Sequence, residues 1–368
     1  MRLNDLSQAY RRFVRRNSAD APSREAWRRL RRNPLAVASL AVIGLFVLVA
    51  LLGYLITPDH TPNCNQQYLE LATLKPGSHA LFAYYDQRPA PKQSLLGRML
   101  HGTPLPYTAL PVANLSMTTD SVVLTPIAGE PFAIERSRFV GSKNRTFLLG
   151  TENYGRDKLS LLIIGSRVSL SVGLIAILIA LLVGISLGSI AGYRGGQTDS
   201  LIMWLINVVW SIPTVLLVIA ITFALGKGFW QVFVAVGLTM WVDIARVVRG
   251  QVLSVKEKDY IQAALALGYR TPRIVLRHIL PNIAGPVVVV AASNFASAIL
   301  LEAGLSFLGI GVQPPTPSWG SMVKEYYGYI LLDSAYMPLL PGVAIMLIVL
   351  AFMLLADALR DALDTRQQ

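Results

Sequence analysis

Six long apolar stretches constrain this chain more than any other feature. They run over Leu35–Ile56, from beyond Arg167 to about Tyr193, Leu201–Leu225, Trp230–Val248, Ile283 to about Ile310, and Pro338–Ala356. A helix of about 20 apolar residues reaches across the hydrocarbon core of a bilayer, and each stretch has about that length or more. The predicted fold class is therefore an all-α integral membrane protein with six transmembrane helices. The overall balance agrees: 53% of the residues are apolar, only 15% are charged, and the mean hydropathy is +0.50. That is too apolar for an ordinary soluble chain.

Orientation follows from Arg and Lys near the span ends. Residues 1–33 carry Arg11, Arg12, Arg15, Arg16, Arg24, Arg28, Arg29, Arg31 and Arg32 against three acids, Asp5, Asp20 and Glu25. This basic arm places the N-terminus in the cytoplasm. The apolar region at 34–57 is too long for a cleaved leader and no small-x-small site follows it, so it reads as an anchor helix. Arg246 and Arg249 end the fourth span, and Arg360 and Arg366 follow the sixth, which puts the C-terminus inside as well. Lys227 and Lys324 fall on the other side. The net charge of +12 is thus explained by topology, and a nucleic-acid partner is not expected.

Residues 58–148 interrupt the pattern with frequent prolines and no run long enough to span. Ser121–Thr125 and Phe132–Glu135 have strand-like composition. Two readings are open for this extracytoplasmic insertion: a small domain, or a loop laid over the membrane part. Lys158 and Arg167 bracket what reads as an interfacial amphipathic segment before the second span. Residues 312–337, rich in Pro, Gly and aromatics, are too polar to cross and read as a short external or re-entrant segment.

Within the second span Gly184, Gly188 and Gly192 recur every fourth residue, a spacing that lets two helix backbones approach closely in lipid. Pro213 is expected to kink the third span. Glu302 lies well inside the fifth, with Asn294 and Ser306 along the same segment. An intramembrane carboxyl is expensive unless it faces a cavity or a partner. Two roles stay open for it: a pathway or gate residue together with Asn294 and Ser306, or a helix-packing carboxyl. Asp243 and Asp357, near span ends, are placed to pair with Arg246 and Arg360 at i+3.

Between the fourth and fifth spans, residues 257–281 form a polar hairpin. Gly268 can end a first short helix in the left-handed conformation, Thr271 can cap a second, and Pro272 suits its first position. Ile261, Ala264 and Leu265 share one face of the first helix; Ile274, Arg277 and His278 cluster on the second. No phosphate-binding G-x-x-x-x-G-K-[ST] loop, H-E-x-x-H or G-x-S-x-G motif occurs, and His60, His79, His101 and His278 lack metal-ligand spacing. A single cysteine, Cys64, excludes an internal disulfide. No catalytic or metal-binding residues are expected, and the energy for any transport must come from a gradient or a partner.

Several motifs carry a resemblance. GTENYGRDKLS, GSRVSLSVGL, AGYRGG, VVRGQVL, LGYRTPRIVLRHILPN, EAGLSFLGIGVQPPTPSWGSM and ADALRDALD occur in the order found in membrane permease subunits of the dipeptide, oligopeptide and nickel ABC importers. The chain resembles the subunit type with a basic arm, one anchor helix and a Gly-Thr-x-x-x-Gly-Arg-Asp segment. The resemblance covers residues 27–57 and 149–365; the external segment is longer than the family usually carries. It implies a five-helix permease core over 149–365, of the type I importer kind. It also implies that the hairpin docks on an ATPase through Gln262, Ala263, Ala264, Leu267, Gly268, Arg270, Arg273 and Pro281. Gln262 stands where the family usually has Glu.

The implied partners are a second similar permease, two ATPase subunits holding ATP and Mg, an extracytoplasmic binding protein, and the lipid of the bacterial inner membrane. The substrates implied are di- or oligopeptides, with nickel or another small solute as the alternative. The rival from a different class is a secondary transporter driven by an ion gradient, which calls for buried acid pairs and an inverted repeat of broken helices.

Overall fold

The structure, a computed structural model, describes residues 22–89, 93–226, 228–332 and 334–363, without the side chains of 22–25 and 229. Most of the basic arm, including Arg11, Arg12, Arg15 and Arg16, and also Lys227 and Arg366, lie outside the described residues.

Helix α1 (Pro22–Arg32) leads into the anchor helix α2 (Pro34–Ile56), whose first turn is capped by the Asn33 side chain accepting from Leu35 N at 3.0 Å. The core follows as α4 (Lys158–Arg194), α5 (Gly196–Trp210), α6 (Thr214–Leu225), α7 (Phe229–Lys256), α8 (Asp259–Ala266), α9 (Thr271–Ile274), α10 (Leu280–Phe307), α11 (Trp319–Tyr326) and α12 (Tyr336–Leu363). Five helices among the described residues are long and apolar enough to span, and the count reaches six when α5 and α6 are taken as one broken span. The expected kink at Pro213 is a break: α5 and α6 meet at 93° across residues 211–213.

The insertion is a domain. Strands β1 (Ser78–Tyr85), β2 (Thr108–Met117), β3 (Ser121–Pro126), β4 (Phe132–Glu135) and β5 (Phe139–Phe147) form an antiparallel sheet in the order β4-β3-β2-β1-β5, and a short helix α3 (Leu95–His101) precedes β2. An otherwise all-α fold thus carries a sheet. One face buries Val112, Val122, Leu124 and Ile134, and the other buries Phe82 and Phe147 beside Tyr68, so neither face is left bare. Five strands with apolar side chains on both faces satisfy what an independently stable sheet needs. The domain is fixed to the membrane core by main-chain bonds from Tyr68 N to Tyr154 O (2.9 Å) and from Thr73 N to Glu152 O (3.1 Å), and by Asp59 N on the Ser160 hydroxyl (3.0 Å).

Helix α4 is the spine. Its 37 residues give a length of about 55 Å, with the sheet at its N-terminal end and the 257–281 hairpin at the other. The glycine stripe faces α7 of the same chain. A Cβ on Gly184, Gly188 or Gly192 would stand 2.8, 2.5 or 2.8 Å from the carbonyl oxygens of Trp241, Ala245 and Arg249 respectively. The contact is reciprocal, since Gly237 of α7 lies against Ile179 and the Ala176 carbonyl. Close backbone approach of this kind is how helices gain packing energy where lipid supplies no hydrophobic drive.

No separate interfacial segment precedes α4, which corrects the amphipathic reading of its start. Lys158 is the first residue of α4, only 2% exposed, with its ammonium 4.7 Å from the Tyr326 ring and 4.9 Å from the Tyr336 ring. Arg167 is turned to the Met99 carbonyl at 3.0 Å and the Tyr54 ring.

Candidate functional site: a hairpin tip and a membrane-depth cavity

Two features of the core carry chemistry, and one continuous piece of backbone joins them. The first is the hairpin. Helix α8 ends at Ala266 with Leu267 as its cap, and Gly268 takes φ +75°. Gly268 N donates to Leu265 O (2.9 Å) and Tyr269 N donates to Ala264 O (3.1 Å). This pair of bonds is the left-handed helix cap that glycine favours, and it satisfies carbonyls the helix end leaves open. Thr271 does not cap α9. Arg270 occupies the cap position without a side-chain bond, and Thr271 is the first helical residue.

The inner side of the hairpin is anchored by Ile261, Ile274 and Ile279, all fully buried in the same cluster as Val248, Val252 and Val255 of α7. Ala264 is buried too, whereas Leu265, expected on that face, is exposed. The outer side presents Gln262, Ala263, Leu267, Gly268, Arg270, Arg273 and Pro281, with Leu267 74% exposed. Arg273 lies 5.5 Å over the Tyr269 ring, which in turn stacks on His278 with ring centroids 6.1 Å apart. Of the eight expected docking residues, the fold turns seven outward and buries Ala264. Gln262 has a further contact that the sequence did not suggest: its amide Nε2 donates to the Lys256 carbonyl at 2.9 Å, closing the end of α7. A glutamate has no N–H with which to do this.

From α9 the chain does not turn again. Residues Val275–Ile279 form a π-helical turn that runs directly into α10, so Thr271–Phe307 is one helix. The bond Leu280 N to Val275 O spans five residues, and the Asn282 side-chain amide picks up the His278 carbonyl at 2.7 Å. Pro281 is the local cause: it has no N–H for a carbonyl four residues back, and its ring crowds that oxygen. A π turn relieves the crowding by widening the helix at this point.

The second feature is a cavity of about 530 Å³ between the α5/α6 break, the middle of α7, and α10. Trp210, Ile212 and Thr214 of the break, Asp243 of α7, and Asn294 and Ser297 of α10 face it. Non-helical backbone at membrane depth is tolerated only when it is buried in protein or lines a watery space. The break at 211–213 therefore belongs where it is found, on a cavity wall.

The three expected pathway residues separate. Asn294 lines the cavity, with its Nδ2 on the Met240 carbonyl at 3.3 Å. Glu302 does not. It is 0% exposed, accepting from the Ser306 hydroxyl at 2.7 Å and the Ser169 hydroxyl at 3.2 Å. Ser306 meets Ser318, whose side chain caps α11, at 3.4 Å. Glu302 and Ser306 thus tie α4, α10 and α11 together, and Glu302 does not reach this cavity. The i+3 ion pairs are also absent among the described residues. Arg246 lies 4.0 Å over the Trp210 ring instead of on Asp243, and neither Asp357 nor Arg360 forms an ion pair. The pair that does form is Arg249 with Asp199, bidentate at 2.5 and 2.6 Å, linking α7 to α5.

At the sheet end, the GTENYGRDKLS segment is a buried polar junction. Asp157 caps α4, accepting from Ser160 N at 2.8 Å and from the Ser160 hydroxyl. Burial pushes its carboxyl above the usual aspartate range against the pull of those bonds. Glu152 accepts from Arg156 Nε at 2.9 Å, and Arg156 reaches Glu325 of α11 at 3.6 Å. Burial likewise raises the Glu325 carboxyl, with Arg156 opposing it.

The family model described as "Binding-protein-dependent transport system inner membrane component" matches residues 184–368, and "N-terminal TM domain of oligopeptide transport permease C" matches residues 21–76. A dipeptide transport system permease protein of Alkalihalophilus pseudofirmus is 32% identical over 351 residues, 95% of this chain and 92% of its own. That span takes in the sheet domain. A di/tripeptide transport system permease protein of Pseudomonas aeruginosa is 42% identical over 221 residues, 60% of this chain and 72% of its own. Among solved structures, a chain of the inward-facing MetNI methionine ABC transporter is similar over 55% of this chain and 97% of its own, with 20% identity and a TM-score of 0.46.

Proposed function

The chain belongs to the family of binding-protein-dependent transport system inner membrane components, and from that premise we propose that it is half of the pore of an importer for short peptides. As a permease of this family it is a multi-pass inner-membrane transport subunit and not an enzyme. Hydrolysis lies in separate ATPase subunits, and a binding protein supplies the solute. In our reading a second, similar permease completes the pore and two ATPases, each with ATP and Mg, dock beneath. Both termini and the hairpin then lie in the cytoplasm and the sheet domain lies outside.

One observation carries the mechanism: the second arm of the hairpin and the helix that lines the cavity are the same helix, Thr271–Phe307. A displacement of the exposed tip is transmitted along that rod without passing through a flexible joint. Ile261, Ile274 and Ile279 also seat the hairpin on α7, so α7 follows. Because both helices form cavity walls, closure of the ATPases shifts the two walls against the α5/α6 break. Packed helices exchange between discrete arrangements more readily than they deform, which suits alternating access. The exposed tip offers Leu267 and small side chains to a groove and Arg270, Arg273 and Arg277 to acidic groups at its rim. Peptide as substrate is supported by the names of the relatives.

The test is ATP-driven accumulation of a labelled dipeptide by proteoliposomes holding this chain, its companion permease, the ATPases and the binding protein. Uptake that needs ATP and all four components supports the reading. Uptake by this chain alone, driven by an ion gradient, overturns it.

A further inference from the structure

We propose that Asp243 is the countercharge that receives the positively charged amino terminus of a peptide as it crosses the half-pore, an inference that rests on the peptide reading above. Asp243 sits at the middle of α7, 13 residues from its end at Lys256, so it lies about 20 Å inside the helix. It is exposed, it faces the cavity, and it is the one charged residue among the described residues lining that space.

The carboxylate has no hydrogen bond or ion pair among the described residues, although a cation is within reach along its own helix. Arg246 is one turn away, yet its guanidinium is held 4.0 Å over the Trp210 indole. A cation placed so is attracted by the ring face and makes no direct ion pair with the aspartate, although its charge still acts on it. The result is a single carboxylate facing an open space, with no direct ion-pair partner of its own. Such a charge is costly unless something passing through completes it.

The remaining walls narrow what that is. A dipeptide at neutral pH carries an ammonium at one end, and ammonium–carboxylate attraction is strong away from bulk water. The same cavity is lined by the Asn294 carboxamide, with its nitrogen already given to Met240, and by the Ser297 hydroxyl, both suited to accept or share N–H bonds. A divalent metal ion calls for several carboxylates, imidazoles or thiolates. Among the described residues no group of three or more His, Cys, Asp or Glu comes together anywhere. The site fits a monovalent organic cation.

The experiment compares ATP-driven uptake of a dipeptide and of its N-acetyl form by reconstituted complexes of wild type, Asp243→Asn and Asp243→Glu, each variant referred to wild type on the same peptide. With saturating binding protein, the expected result is a fall on the order of tenfold for the free-amine peptide in Asp243→Asn. Uptake of the acetylated peptide stays unchanged, and Asp243→Glu recovers most of the loss. An equal fall for both peptides, no fall, or loss of the assembled complex on size exclusion overturns the assignment. Wild-type complexes that accumulate neither peptide overturn the peptide reading itself.

Discussion

A side-chain carbon placed on Gly188 would stand 2.5 Å from the carbonyl oxygen of Ala245 on the facing helix. That oxygen belongs to the α7 backbone and cannot swing aside. Gly188→Ala is expected to force α4 and α7 apart and destabilise the protein by about 1–3 kcal/mol, the usual range for overpacking. Gly250→Ala, on the same α7 but with nothing within 4 Å of the added carbon, is expected to be neutral or stabilising by about 0.5–1 kcal/mol. Thermal midpoints of the two variants in detergent should therefore move in opposite directions or differ clearly. Equal midpoints would remove the close-packing argument.

Gly268 separates backbone geometry from side-chain size, because a Cβ there meets nothing within 4 Å. Its φ of +75° is the only demand. A β-branched residue in that conformation costs about 1–2 kcal/mol, whereas Asn tolerates it. Gly268→Val is expected to unseat the tip and lose the ATPases on co-purification, and Gly268→Asn to keep them. Loss with both variants would point to a contact at Gly268 itself.

The pattern of these residues shows how far the sequence could be read. Spans follow from uninterrupted apolar runs and the hairpin turn from Gly268 and Pro272, since both depend on neighbours along the chain. Lys158 was less legible: at the mouth of a span a lysine ordinarily snorkels to water. Only the fold brings Tyr326 and Tyr336 over it. Asp243 and Arg246 stand at i+3 spacing, but Trp210 comes from another helix and takes the guanidinium. The sheet was partly visible in β3 and β4. β1 reads SHALFAYY, without clean alternation, because both of its faces are covered. The partner of the glycine stripe likewise became visible only once α7 was placed against it.

Gln262 makes a prediction on the same hairpin. Its Nε2 bond to Lys256 O ties the first turn of α8 to the end of α7. A net hydrogen bond contributes roughly 0.5–1.5 kcal/mol, and this one is exposed, so the lower half of that range applies. Gln262→Glu and Gln262→Ala both remove the donor. Both are expected to speed amide exchange across 257–262 by roughly two- to fivefold while leaving 271–281 unchanged. Protection equal to wild type in both would show that the bond contributes nothing.

Asp157 gives a pH dependence whose sign can be worked out. Burial raises its folded-state pKa above the ordinary value of 3.8, so the folded protein binds this proton more tightly than the unfolded chain does. Stability from this group is then fully present below about that ordinary value and is lost as pH rises through the folded pKa, with no further change above it. Asp157→Asn keeps an acceptor for Ser160 and removes the titration. Thermal midpoints between pH 4 and 7 are expected to fall less steeply with rising pH in the variant than in wild type. Parallel curves would assign the slope to other groups, of which Glu325, also raised by burial, is the first to replace by Gln.

Pro281 governs the angle at which the lever meets the membrane helix. The π turn at Val275–Ile279 exists where Pro281 denies its helix a donor, and beside it the Asn282 side chain donates to the His278 carbonyl. Restoring an N–H with Pro281→Ala lets the turn anneal towards regular α-helix. One residue less in the turn rotates everything before it by about 100° about the helix axis. The buried set Ile274 and Ile279 and the exposed set Leu267, Arg270 and Arg273 then no longer face their present directions together. The expected outcome is a complex that still assembles but hydrolyses several ATP for each peptide moved, since docking survives and transmission does not. The measurement is the ratio of phosphate released to dipeptide accumulated in the same proteoliposomes. An unchanged ratio would mean that the hairpin drives α10 through its seat on α7 alone, with the continuous helix as a passenger.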